Sequence, residues 1–300
     1  MAHVHFFLQG KGGVGKTTCD FYFTQQLIDS GYMVSTYDCD PVNWSLSNFK
    51  SINALRINLK SDSGSRVDAK KIPLIFNRIE EFCQKALEVS LSEIDEADRP
   101  KIEPEKATPE DIKNYTSNSH ILFDVGASGF LPVSDFLKMG GAEAILAMGN
   151  KLYLHTIIAG DKMFDDCILC LETILKNFPS PDVKIVLWKN EFFGPLAIEM
   201  DKDQLKRNHY ALDPESPTYK PLEKFDLYKE NENRFFAILT VQQYDDDIIQ
   251  SYIQRLLRGS LTFRSILNDK DNPSNFNLYE KMVIKKIRDQ IYDQLAAVVY

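Results

Sequence analysis

Nine residues, Gly10 to Thr18, restrict this chain more than any others; they read Gly-Lys-Gly-Gly-Val-Gly-Lys-Thr-Thr. Gly10, Gly15, Lys16 and Thr17 fill the fixed positions of G-x-x-x-x-G-K-[ST], a loop that cradles phosphates. The flanks agree with that pattern. His3 to Leu8 is an apolar run of β-forming residues and predicts a buried strand. Thr17 to Asp29 carries Phe21, Phe23, Leu27 and Ile28 near helical spacing, and Gly31 follows as a stop signal. Strand, glycine-rich turn and helix is the setting the motif requires. Its glycines let the backbone curl so that N–H groups converge on phosphate oxygens, and the helix adds its positive end. Gly12, Gly13, Val14 and Thr18 complete the expected cradle. Lys16 would sit between the β- and γ-phosphates as a point charge, and the Thr17 hydroxyl would bind Mg²⁺. A chance glycine-rich turn rarely meets four fixed positions behind a strand.

Three hundred residues suffice for one large α/β domain or two small ones, and 44% hydrophobic content supports a full core. The net charge of −8 argues against a generally basic nucleic-acid binder, although a local basic patch could still hold DNA. No apolar run reaches the ~18 residues of a membrane span. The amino end leads straight into the phosphate loop and is not read as a signal peptide. Five cysteines without disulfide spacing suit a reducing, cytoplasmic setting.

Two further strands end in carboxylates. Met33 to Asp38 predicts the second strand and closes on Asp38-Cys39-Asp40-Pro41. Two aspartates two residues apart at a strand end face the same side, where parallel α/β sheets hold their ligands. His120 to Val125 predicts another strand, with Asp124 near its end and Gly126 and Gly129 behind it. That is a Walker B pattern: an apolar strand delivers one carboxylate to the metal side of the phosphates, and the glycines let the next segment approach and move.

The second lysine narrows the reading. G-K-G-G-V-G-K-T, with Lys11, resembles the deviant phosphate loop of the ParA/MinD superfamily of ATPases, which includes the nitrogenase iron protein. The resemblance implies ATP and Mg²⁺ as cofactors, and a homodimer in which Lys11 reaches the nucleotide of the partner subunit. It makes Lys11, Lys16 and Asp40 the catalytic set, with Asp40 positioning the attacking water and Asp38 supporting Mg²⁺ through water. Thr17 and Asp124 complete the metal side. Asp124 to Gly129 corresponds to the second switch, with Gly129 near the γ-phosphate. Asn190, at a strand end, takes the place of an adenine contact, although an ordinary turn asparagine explains it as well. Residues 40 to 50 and the opening Val4 to Gly13 are similar to TraL/StbB-type proteins of conjugative plasmids. That implies a role in plasmid maintenance or conjugal transfer, with a plasmid-encoded DNA-binding or transfer partner.

The remaining chain predicts a short edge strand at Leu55–Leu59, a loop at Ser61–Lys71 and an amphipathic helix at Ile72–Val89. A polar linker or insertion is expected at Ser90–Thr108, and a short helix at Pro109–Tyr115 capped by Thr108 with Asp111. Ala144–Met148, Leu152–Ala159, Val183–Trp188 and Arg234–Val241 read as strands. Lys162–Phe178 and Asp245–Arg258 read as helices, and Leu212–Leu222, with three prolines, as a loop. Cys167 and Cys170 share a helix face without a second ligand pair, so they read as core, and no iron–sulfur cluster is expected. The helix Leu278–Val299 has an apolar stripe at Leu278, Met282, Val283, Ile287, Ile291, Leu295 and Val298, and lysines at 281, 285 and 286. Membrane contact and non-specific DNA contact are both conceivable for it. Glu280, Asp289 and Asp293 weaken both, and packing on the sheet is the simpler reading. These elements predict a single doubly wound α/β domain with a mostly parallel sheet. The functional expectation is an ATP-driven dimerisation switch. A P-loop kinase or synthetase, or an ATP-binding interaction module with little hydrolysis, is the alternative.

Overall fold

The computed structural model describes residues 1–62, 67–96, 99–194, 196–199, 219–244, 247–268 and 276–299. Seven strands form one sheet: β1 (His3–Phe7), β2 (Met33–Asp38), β3 (Leu55–Arg56), β4 (Ser119–Asp124), β5 (Lys151–Ala159), β6 (Val183–Asn190) and β9 (Phe235–Val241). Their order is β3-β2-β4-β1-β5-β6-β9, and every neighbouring pair is parallel. A separate antiparallel pair joins β7 (Ala197–Glu199) to β8 (Tyr219–Pro221). The chain leaves β1 for β2 on one side and, after β4, crosses to β5 on the other. The carboxyl ends of β1 and β4 flank that reversal, where open α/β sheets bind ligands.

Register fixes what stands there. Phe7 pairs with Asp124, and Asp38 pairs with Asp124 on the other side. The ends of β1, β2 and β4 therefore lie level, and the two aspartates are neighbours. Helices α1 (Lys16–Asp29), α2 (Pro73–Ser92), α3 (Pro109–Tyr115), α4 (Phe130–Phe136), α5 (Ala142–Ala147) and α6 (Phe164–Asn177) supply most of the crossovers. Helix α1 is buried almost all round, from Cys19 to Leu27, because Leu278–Val299 lies across it. Tyr292 donates to Asp29 (2.8 Å), and the Gln294 amide bonds both backbone groups of Thr240 on β9.

Several expectations need correction. Ala144–Met148 belongs to helix α5 and not to a strand. Its apolar run is ambiguous by periodicity, but alanine, glutamate and leucine favour a helix, and Gly140 at φ +116° turns the chain into it. In the last helix Ile284, not Met282, enters the core; Leu278 and Met282 are 77% and 64% exposed. Glu280 is tied down by Arg255 (3.1 and 2.7 Å), which sets the first turn. Helix α2 runs on to Ser92, and Ile94, Ile102 and Ala107 of the polar stretch pack at the core edge. Within the expected 212–222 loop, Tyr219–Pro221 forms β8, and residues 212–218 lie outside the described residues. Residues 63–66 of the Ser61–Lys71 loop and 245–246 of the Asp245–Arg258 helix also lie outside them. The Thr108 capping box is present in both arms.

One core feature went unread in the sequence. His3 and His5 alternate onto the α1 face of β1, where His120 of β4 and His155 of β5 join them. Trp188 Nε1 donates to His155 Nδ1 (3.0 Å). A neutral His155 then carries its proton on Nε2 and donates to His5 Nδ1 (3.0 Å). His5 in turn donates from Nε2 to His120 Nδ1 (3.1 Å). Burial lowers His3 to about 3, with the Lys151 charge adding to it, and lowers His120 to about 2 and His155 to about 3. Burial also holds His5 well below its ordinary value.

All four are therefore neutral in the fold and protonated in the unfolded chain below about pH 6.5. Their contribution is complete above that value and is lost as pH falls toward 3. At pH 5 the loss is about 2 kcal/mol for each of His3, His120 and His155, and His5 acts in the same direction. Urea unfolding should show a midpoint that drops steeply between pH 7 and pH 5. A midpoint unchanged over that range would mean the histidines accept protons inside the fold.

Candidate functional site

The loop after β1 is shaped by two left-handed glycines, Gly13 (φ +81°) and Gly15 (φ +88°). At Gly15 a Cβ would also stand 2.3 Å from Asn190 Nδ2, so the position is closed to side chains twice over. Asn190 is 3% exposed; its Nδ2 donates to Val14 O (2.8 Å) and its Oδ1 accepts from Phe192 N (3.2 Å). Its amide thus braces the loop from beneath. Gln9 adds a second brace, donating to Ile157 O and accepting from Lys11 N (3.4 Å). Gly10 lies against α4 and α6, where a Cβ would meet Phe130 at 3.0 Å and Cys170 Sγ at 3.1 Å. Cys167 and Cys170 are buried and free, as core residues.

Lys16 and Thr17 converge on one carboxylate. Lys16 Nζ forms a buried ion pair with Asp124 Oδ1, and Thr17 Oγ1 donates to Asp124 Oδ2 (2.7 Å). Burial works against the charge on Lys16, but the Asp124 carboxylate outweighs it and Lys16 stays charged above its ordinary range. Asp38 is buried beside them. Its oxygens accept from Asp40 N (3.2 Å) and Ser47 N (3.0 Å), and burial raises its pKa. Asp40 Oδ1 accepts from Val42 N (2.8 Å) and Asn43 N (3.1 Å), which folds the segment after β2 into a tight turn. That turn presses on the segment after β4: a Cβ on Gly126 would stand 2.7 Å from Asp40 Cγ and 2.9 Å from its Cα. Gly129 is buried one turn further on, where a Cβ would meet Val125 at 2.7 Å.

These elements enclose a cavity of about 600 Å³. Lys11, Gly12, Gly13, Gly15, Lys16, Thr17, Thr18 and Asp40 line it; Gly10, Val14, Asp38, Asp124, Gly129 and Asn190 lie behind that lining. Lys11 is also turned toward α6, with Nζ 2.7 Å from Asp166 Oδ2. Thr17 and Asp124 offer a hydroxyl and a carboxylate on one side of the loop, an oxygen donor set that suits a hard cation such as Mg²⁺. Lys16 lines the same cavity beside the glycines of the loop.

The sequence reading missed four residues here. Phe193 and Leu257 line the cavity without a motif to mark them. Asp166 holds Lys11 from another element. Asp20 lies one turn after Lys16, fully buried, with Oδ1 accepting from Thr24 (2.9 Å). Burial, reinforced by Asp124, raises the Asp20 pKa well above the carboxylate range. Its signal was an aspartate on a helix otherwise buried all round.

His3, His5 and His120 also bring three ring nitrogens within 4.8 Å of one another. Their rings are stacked, with interplanar angles of 13°, 28° and 16°. An imidazole binds a metal in its own ring plane, so stacked rings do not converge on one ion. His5 and His120 are joined by a hydrogen bond (3.1 Å), and His3 stacks on them.

No protein-family profile matches the chain. It is 24% identical over 298 residues to a protein TraL of Escherichia coli, covering 99% of this chain and 98% of that one. A second E. coli TraL is 24% identical over 296 residues, 98% of each. Both alignments run nearly the whole length of this chain. Among solved structures, MinD of Aquifex aeolicus aligns with a TM-score of 0.41 and 13% identity, over 97% of each chain. A plasmid partition protein of Borrelia burgdorferi bound to AMPPNP aligns with a TM-score of 0.40 and 14% identity, over 99% of this chain and 98% of that one. No described helix of this chain is long and apolar enough to cross a membrane.

The close approach at Gly126 is testable. Gly126→Ala drives a methyl into the Asp40 backbone and should cost about 1–3 kcal/mol. Gly12→Ala, with open space around it, should cost far less. Thermal unfolding of the two variants checks this; equal melting temperatures would mean the two segments do not abut.

Proposed function

We propose that this chain is a Mg²⁺-dependent ATPase of the ParA/MinD superfamily, working as a nucleotide-driven dimerisation switch in plasmid maintenance or conjugal DNA transfer. The observation that carries the reading is the convergence of Lys16 and Thr17 on Asp124 beneath a glycine loop that lines a cavity of about 600 Å³. Full-length similarity to TraL supports the plasmid setting. The whole chain acts as one domain in this account, with the last helix packed against α1 and β9.

Lys16 moves from Asp124 to the β- and γ-phosphates, a charge partner of the same sign as the one it leaves. Thr17 and Asp124 are then free to hold Mg²⁺, with Asp38 beside them. When bound, Mg²⁺ neutralises charge between the β- and γ-phosphates. Asp40 orients the water that attacks the γ-phosphate. The segment behind Gly126 moves with Asp40 because the two are in contact, so the γ-phosphate would set both together. Lys11 leaves Asp166 and completes the site of a second copy, supplying a cation where charge builds up. Turnover is slow in the single chain for that reason, and a plasmid-encoded DNA-binding or transfer partner would stimulate it.

Phosphate release should fall about 100-fold or more in Lys16→Ala and in Asp40→Ala. Lys11→Ala should keep nucleotide binding but lose ATP-dependent dimers in sedimentation. Unchanged turnover in the first two removes the site assignment. Dimers that persist in the third remove the trans role of Lys11.

A further inference from the structure

Strand β3 is two residues long and buries neither of them: Leu55 is 51% exposed, and Arg56 is exposed as well. Asn53, in the left-handed region at φ +51°, turns the chain into it, and Ile57 just beyond enters the core. Core packing does not account for Leu55 and Arg56. Register does place Arg56, which pairs with Asp38 across β2 and β3. The two side chains hold one short turn from opposite sides. From the buried side, Asp38 accepts from Ser47 N (3.0 Å) and from Asp40 N (3.2 Å). From the solvent side, Arg56 Nε donates to Ser47 Oγ (2.8 Å). Its guanidinium also lies over the half-buried Trp44 ring, 5.1 Å from the centroid. Ser47 Oγ donates in turn to Trp44 O (3.1 Å), which closes the turn on itself. Other residues of the same segment line the cavity: Asp40, Val42, Asn43 and Ser45.

We propose that Arg56 is a positioning residue for ATP hydrolysis, clamping the 40–47 segment so that Asp40 is held where the attacking water must stand. The inference rests on the ATPase reading above and adds to it a residue from the exposed edge of the sheet. In that reading Lys16 and the loop grasp the phosphates, and they belong to a different element. Asp40 rides on the clamped segment. Releasing the clamp therefore slows the chemical step and spares binding, since a small misplacement of an orienting group acts on the rate. Arginine suits the task because its planar face covers Trp44 while its Nε edge reaches Ser47; a lysine offers no such face.

Steady-state phosphate release and acrylamide quenching of tryptophan fluorescence, both on the full chain, test this together. The chain has two tryptophans and Trp188 is 1% exposed, so acrylamide reports on Trp44. Arg56→Ala should lower kcat about 10-fold, leave KM for Mg·ATP within about twofold and raise the quenching constant about twofold. Arg56→Lys should resemble the alanine variant. Ser47→Ala removes the hydroxyl but keeps the backbone bond to Asp38, so kcat should fall in the same way. The double variant should stay within about twofold of Arg56→Ala, because both changes break one path. An unchanged kcat in Arg56→Ala, or a loss found wholly in KM, overturns the positioning role. Losses that multiply in the double variant overturn the path through Ser47. An unchanged quenching constant overturns the clamp itself. Wild type that releases no phosphate overturns the ATPase reading and the positioning role with it, whereas a raised quenching constant in Arg56→Ala would still mark the clamp.

Discussion

The structure turns on a buried ion pair, Lys16 with Asp124, at the meeting point of β1, β4 and α1. Both groups are almost wholly out of water, which makes either one costly alone. Each is present because the other is. Thr17 donates to the other oxygen of the same carboxylate (2.7 Å), so lysine and hydroxyl are held in place by one group. In the proposed function a phosphate would take Lys16 from that carboxylate and a divalent cation would claim the oxygens left behind.

Sheet register makes this arrangement available. Asp38 and Asp124 are cross-strand partners, so whatever holds one strand end holds the other. The segments that follow them touch at Asp40 and Gly126, where no side chain larger than hydrogen fits. Two loops from separate crossovers become one mechanical unit by that contact. Beneath them the imidazole chain from Trp188 through His155 and His5 to His120 ties β6, β5, β1 and β4 together in the face covered by α1. Polar groups in a parallel core are tolerable there because most find partners and burial keeps the rings uncharged.

Much of this was legible in the sequence. The phosphate loop, the order of strands and helices, and the three strand-end aspartates are local patterns, and periodicity and motif spacing report local patterns well. Asp38, Asp40 and Asp124 all stand near the loop, as their places at strand ends required. What escaped was long-range. Nothing in the sequence neighbourhood of Phe193 or Asp166 says that β6 and α6 bring them beside Gly15 and Lys11. Asn190 reads equally as a base contact and as a turn asparagine, and only tertiary packing places its amide under Val14. The histidines are spread over β1, β4 and β5, and their alignment follows from a register the sequence does not print. Ala144–Met148 failed for a different reason: a short apolar run fits strand and helix equally until its neighbours decide.

The central claim is that the Lys16–Asp124 pair gives way to a metal-bound triphosphate. Thermal unfolding in ATP, with Mg²⁺ and then with the metal chelated, tests it directly. The account predicts a rise in melting temperature with Mg·ATP that is largely lost on chelation and is absent in Asp124→Asn with or without metal. A melting temperature indifferent to Mg·ATP, or an equal rise in wild type without metal, would contradict it.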